Sequence, residues 1–187
     1  FPYLNNKIIL SFPSRITSRK GHEDFIYLIS KLKQDNMNIH GLIIGDPKSS
    51  SNKYFQSLKN QVNDSNLKAN ITFTGYRNDV KNIIAYSDIV YSLSSEPESF
   101  GRSILEPLSI GIPSIGYNRG GVKEILEELY PYGCVEVNDS KSLLEKSISI
   151  LDGNNRDIKE NINNDGLLDI YFIYSPILIS SIFPIYS

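Results

Sequence analysis

The sequence predicts an α/β fold, a doubly wound six-stranded parallel sheet of the Rossmann-like kind. Three observations carry this. Six short apolar runs rich in β-branched residues recur along the chain, a helical pattern follows each, and turn residues bound every run. Such alternation places crossover helices on both faces of a parallel sheet, and ligands then bind beyond the carboxyl ends of the strands.

The strands are expected at 7–12 (KIILSF), 39–45 (IHGLIIG), 70–75 (NITFTG), 88–94 (DIVYSLS), 112–117 (IPSIGY) and 133–137 (GCVEV). The best helical pattern is 22–34, where Phe25, Leu28, Ile29 and Leu32 recur at i, i+3, i+4 and i+7 and give one apolar face. Weaker patterns predict helices at 52–62, 78–86, 103–110, 121–129 and 140–151. The turns at 13–21, 45–48, 75–78, 94–102 and 117–121 all follow strands, so all belong to the ligand-binding edge.

Composition narrows the function classes. At 187 residues the chain suffices for one domain with a sizeable core. A formal net charge of -2 leaves no footprint for nucleic acid. The single cysteine, Cys134, excludes an internal disulfide and reads as a small buried hydrophobe. With two histidines a histidine-based zinc site is not expected. His22 reads as a surface residue at a helix start and His40 as a strand residue. The amino end lacks the basic-then-apolar pattern of a signal peptide.

The first strand–helix turn, SFPSRITSRKGHEDFI, has Gly21 as its one glycine, which argues against a dinucleotide fingerprint. No P-loop motif occurs. The turn instead carries Arg15 and Lys20 just before a helix start, a suitable receptor for a diphosphate or else a set of solvated loop charges. Further on, Glu98 and Glu106 stand eight residues apart around a Phe-Gly-Arg turn. Ser103 to Glu106 fits a capping box, which would make Glu106 structural. The two acids also fit a glycosidase pair. Gly120 and Gly121 read as a hinge or as a place where backbone approaches a ligand.

In order, these blocks resemble the carboxy-terminal, donor-binding domain of the group 1 glycosyl transferases, retaining enzymes of family 4 with the GT-B fold. The resemblance covers about residues 7–151. It rests on E-x(7)-E (Glu98 to Glu106), LSIGIPSIGYNRGGVKEIL, SRITSRKGHEDFI, LIIGDP and ITFTGYRNDVKNIIAYSDIVYSLSS. The resemblance implies that Arg15 and Lys20 hold a nucleotide diphosphate and stabilise the charge that grows on it, with Glu98 the third catalytic residue, contacting the donor sugar. It implies that Glu106 accepts from ribose hydroxyls, and that backbone N–H groups near Phe100 and Gly101 face the sugar phosphate. Gly75, Tyr76, Arg77 and Asn78 would border the nucleobase, and Gly120 and Gly121 would line the same site. No metal and no cofactor is implied. The donor is a nucleotide sugar, UDP-linked in the commonest case, and a front-face displacement is the expected mechanism.

The implied partners are a saccharide or lipid-linked acceptor and an amino-terminal acceptor domain. The implied setting is lipopolysaccharide or surface-polysaccharide synthesis in the cytoplasm, at the inner face of the membrane if peripherally attached. A sugar-nucleotide binding module without turnover, or the remnant of a disrupted gene, is the alternative. Pro107 departs from the family's usual alanine, and is tolerable only if its helix begins near Ser103. The donor domain is expected over 1–153. The remainder, 154–187, is polar and then apolar; its uncharged run 170–187 is interrupted by Pro176 and Pro184. It reads as an aberrant end ahead of a partner-packing or membrane-surface segment, and least well as a span.

Overall fold

The computed structural model of the chain describes residues 4–47 and 52–154. The expectations for the polar and apolar tail beyond Asn154 lie outside the described residues. Strands β1 (Ile8–Pro13), β2 (Ile39–Ile44), β3 (Ile71–Gly75), β4 (Ile89–Ser92), β5 (Ser114–Tyr117) and β6 (Cys134–Val135) form one sheet in the order β3-β2-β1-β4-β5-β6. Every neighbouring pair is parallel. Helices α1 (His22–Gln34), α2 (Lys53–Asp64), α3 (Val80–Ala85), α4 (Arg102–Ser109), α5 (Gly120–Leu129) and α6 (Ser140–Leu151) follow the strands in turn. The expected doubly wound sheet is present.

Strand alternation sorts the helices. Tyr91 of β4 lies tilted against Phe25 of α1 at 5.4 Å and donates to Ser147 Oγ of α6, so α1 and α6 lie on one face, with α2 against α1. Ser92, the next residue, points the other way and accepts from Ser103 Oγ of α4, which packs on α5. The core between them is built from Leu10, Phe12, Phe25, Leu28, Ile29, Leu32, Ile39, Ile43 and Tyr91. Each such side chain contributes about 1.5–3 kcal/mol by leaving water. A smaller apolar cluster, Ile9, Leu42, Ile44 and Ile83, lies under α3.

Boundaries depart from expectation where the chain turns toward function. β4 ends at Ser92 rather than 94 because Ser95 N–H bonds the Arg19 carbonyl of the β1–α1 loop instead of a strand. β6 keeps two residues, following a tight 3-10 turn at Pro131–Gly133 and pairing only with β5. α4 starts at Arg102, so Pro107 is its sixth residue and lies beyond the first turn. The proline removes the bond that Ser103 C=O would accept, and the helix stops at Ser109.

Candidate functional site

The sheet order changes direction between β1 and β4, and a crevice opens there at the strands' carboxyl ends. The β1–α1 loop forms one wall and is fastened on both sides. Ser14 N–H bonds Ile44 C=O at 2.9 Å, and Arg19 C=O accepts from Ser95 N–H at 2.9 Å. Gly21 closes the loop in a left-handed conformation at φ 77, where an added Cβ would sit 2.2 Å from the Leu93 carbonyl oxygen. Only glycine lets α1 begin this close to β4.

The β4–α4 loop forms the other wall. Its main chain is clamped where Gly121 N–H donates to Glu98 C=O at 2.7 Å. Gly121 also abuts the Phe100 and Gly101 backbone, with about 3.0 Å left for a Cβ. Gly120 and Gly121 thus stand behind the Glu98 loop, serving the contact between the starts of α4 and α5. Neither lines the crevice walls described next.

Two adjoining cavities fill the crevice. The inner one, about 190 Å³, is lined by Phe12, Pro13, Ser14, Ser92 and Leu93 along with Arg15, Lys20, Ser94, Glu98 and Ser103. The outer one, about 400 Å³, shares those last five residues and adds Arg19, Glu96, Pro97, Ser99, Phe100, Gly101 and Arg102. Arg15, Lys20, Glu98, Phe100 and Gly101 therefore line one crevice. Phe100 is 61% exposed at the mouth.

Charges cross the crevice in pairs. Lys20 Nζ donates to Glu98 Oε1 at 2.6 Å, with both side chains only 23% exposed. Arg19 Nη1 meets Glu96 Oε2 at 2.7 Å nearer solvent. Glu106 lies one turn into α4 and accepts from Arg102 Nε and Nη2. This corrects the capping-box expectation: the helix cap is Gly101, with no side-chain cap bond, and the Ser103 hydroxyl turns to Ser92. The start of α4 borders the outer cavity through Gly101, Arg102 and Ser103, and a helix amino terminus favours an anion.

Gly75, Tyr76, Arg77 and Asn78 stand apart, at the end of β3. Arg77 holds Asp79 through two hydrogen bonds, and Tyr76 is largely exposed. The Asp79 guanidinium partner keeps its carboxyl below the usual range. A groove of about 800 Å³ runs past Arg77 and Asp79 along α3 to Tyr86, Leu42 and Ile9. It is larger than the crevice cavities but contains none of the residues that converge there.

Sequence reading missed several features. The hydroxyl lining from Ser14, Ser92, Ser94 and Ser103 was not singled out. His22, expected at the surface, is fully buried beneath the cation-bearing loop, its ring edge-on to Phe12 at 4.9 Å. No well-formed hydrogen bond reaches either ring nitrogen. Burial lowers its pKa to about 4, the Thr17 main chain opposing and the Lys20 charge adding to the shift. The signal was available: residue 22 lies three before Phe25, on the apolar face of α1. His40 does sit in β2, its Nε2 paired with Thr72 Oγ1 at 2.9 Å. Among the described residues no cluster of three or more His, Cys, Asp or Glu could hold a metal ion. Nor is any helix there long and apolar enough to cross a membrane.

Comparison with known proteins accords with this geometry. The profile of the family described as "Glycosyl transferases group 1" matches residues 3–165. The N-acetyl-alpha-D-glucosaminyl L-malate synthase of Bacillus anthracis is 27% identical over 143 residues, 76% of this chain and 36% of that protein. The UDP-Gal:alpha-D-GlcNAc-diphosphoundecaprenol alpha-1,3-galactosyltransferase of Escherichia coli is 32% identical over 112 residues, 59% of this chain and 27% of that protein. The chain thus spans about a third of the length of these curated relatives. Among solved structures, Anabaena Alr3699/HepE in complex with UDP superposes with a TM-score of 0.76 at 22% identity, covering 95% of this chain and 50% of that one.

Proposed function

The chain belongs to the group 1 glycosyl transferases, and from that premise we propose that its β1/β4 crevice is the sugar-nucleotide site of a retaining transferase. The observation that carries the proposal is the convergence of Arg15, Lys20 and Glu98 at the start of α4, from loops almost eighty residues apart. Two cations and a helix amino terminus suit a diphosphate. As the glycosidic bond breaks, negative charge grows on that leaving group, and fixed cations stabilise it without reorganising. Glu98 is proposed to accept from donor-sugar hydroxyls, and Glu106, 24% exposed on α4, from ribose hydroxyls. The β3 end, Gly75 to Asn78, is the proposed border of the base.

Support for a uridine nucleotide comes from the relatives, one of which uses UDP-Gal and another of which binds UDP. The names of the curated relatives carry different second partners, L-malate for the Bacillus anthracis synthase and alpha-D-GlcNAc-diphosphoundecaprenol for the Escherichia coli galactosyltransferase. A saccharide or lipid-linked acceptor in surface-polysaccharide or lipopolysaccharide synthesis is the setting proposed here. Transfer is proposed to need an acceptor-binding domain beside the crevice, since much of the rate of such enzymes comes from holding the acceptor against the donor carbon.

Calorimetry of the 187-residue chain against UDP, GDP and ADP tests the site, with Glu106→Ala as the discriminating variant. Loss of its charged hydrogen bonds to ribose is expected to cost roughly 1.5–3 kcal/mol in nucleotide affinity, while the fold tolerates the loss of one surface helix pair. A folded variant with the parent's affinity would remove Glu106 from the site. Transfer assayed by mass spectrometry, with and without an added acceptor domain, separates a transferase half from a binding module.

A further inference from the structure

This inference rests on the reading of the crevice as a sugar-nucleotide site and deepens it. The inner and outer cavities share Arg15, Lys20, Ser94, Glu98 and Ser103 in their walls, so the Lys20–Glu98 ion pair stands at the partition between them. At 2.6 Å and 23% exposure on each side, the pair satisfies both partners from within the protein. A phosphate that recruits Lys20 draws on the same ammonium, either sharing its three N–H donors with Glu98 or displacing the carboxylate. Either way the carboxylate, 23% exposed, stands beside a second anion with its cation shared or lost, which is an unfavourable state.

Ligands differ in whether they relieve that state. A nucleoside diphosphate brings Lys20 a new anion and brings Glu98 nothing. An intact sugar nucleotide brings both a diphosphate for Lys20 and hydroxyl donors for Glu98. We propose that the Lys20–Glu98 ion pair is an internal occupant of the crevice that makes it favour the intact sugar nucleotide over the nucleoside diphosphate left after transfer. The pair acts against the wrong ligand by exposing it to an unpaired charge, a form of discrimination that needs no additional contact with the right one. Re-forming the pair after the sugar departs favours release of the diphosphate.

The test is calorimetric titration of the 187-residue chain with UDP and with UDP-glucose, repeated for Glu98→Gln, which keeps the side chain's shape and removes its charge. Glu98→Gln is expected to tighten UDP by about tenfold, equivalent to about 1.4 kcal/mol, and to weaken UDP-glucose, so that the parent's preference collapses. Glu98→Ala serves as a second variant with the same expected direction for UDP. Glu145→Gln on α6, at an exposed pair with Lys141, removes a charge elsewhere and is expected to keep the parent's ratio. Circular dichroism establishes folding in each case. An unchanged or weaker UDP affinity in folded Glu98 variants overturns the inference while leaving the nucleotide site standing. A parent chain that binds neither ligand overturns both.

Discussion

The crevice between β1 and β4 and the groove beside α3 differ in how their charges are held. In the crevice, Lys20 meets Glu98 and Arg19 meets Glu96 across sequence separations of 78 and 77 residues. In the groove, Arg77 meets Asp79 two residues away. A local pair can form wherever the chain turns, and tells little about what the fold is for. A distant pair exists only because the topology brings two loops together. The groove is the larger cavity, yet the crevice has the convergence. Volume is therefore a poorer guide to this site than the origin of the side chains lining it.

The largest effect that would sharpen this contrast concerns two glycines, one closing the crevice loop and one ending β3, two residues before Arg77. Gly21 and Gly75 both have positive φ, but an added Cβ meets the Leu93 carbonyl oxygen at 2.2 Å at Gly21 and nothing within 4 Å at Gly75. Gly21→Ala is expected to cost roughly 3 kcal/mol or more, the sum of backbone strain and steric displacement. Gly75→Ala is expected to cost about 1 kcal/mol, from strain alone. Urea unfolding of both variants measures the difference, and equal losses would mean the crevice wall yields more readily than its packing implies.

Affinity comes next. Arg15→Ala and Lys20→Ala are each expected to weaken UDP by roughly 1–3 kcal/mol, the range for hydrogen bonds to charged groups, and to leave uridine almost unaffected. Arg77→Ala, in the other region, is expected to leave the contribution of the diphosphate unchanged. Equal losses for UDP and uridine in the crevice variants would mark a folding defect rather than lost phosphate contacts.

The smallest effect is on pH dependence. His22 lies under the crevice loop and His40 toward the β3 edge, and burial, their largest influence, lowers both pKa values to about 4. In the unfolded chain each titrates near 6.5. The stabilisation is thus full above about pH 6.5, declines as pH falls toward 4 and is lost below that, because the unfolded state takes up protons first. His22→Gln is expected to flatten this decline by on the order of 1–2 kcal/mol, with His40→Gln contributing less because His40 is the less deeply buried of the two. Melting temperatures from pH 4 to 7 decide; a slope unaltered by His22→Gln would assign it to other groups.

Much of the fold was legible in the sequence because period-two and period-3.6 patterns are local. The range 22–34 for α1 and 140–151 for α6 agrees with the structure to the residue. The walls of the site were legible too, since strand-following loops must gather at one edge. What stayed hidden was the pairing. Nothing in the spacing of Lys20 and Glu98 says that they touch, because their proximity depends on β4 lying beside β1. Arg102 and Glu106 are the exception: four residues apart on a helix, they were readable as neighbours. The capping box failed because Gly101 could start α4 two residues earlier than Ser103. His22, read as a surface residue at a helix start, is buried because it lies on the apolar face of α1.

The clamp on the Glu98 main chain has a kinetic consequence. Gly121 N–H holds the Glu98 carbonyl and the start of α5 backs the 100–101 peptide, so the loop's backbone is fixed and the carboxylate can change partner only by turning its own side chain. On the proposed reading, exchanging Lys20 for a ligand hydroxyl takes a side-chain rotation and no loop displacement, the slower class of motion. The proposed exchange of an internal ion for an arriving ligand would therefore leave the wall of the crevice standing throughout.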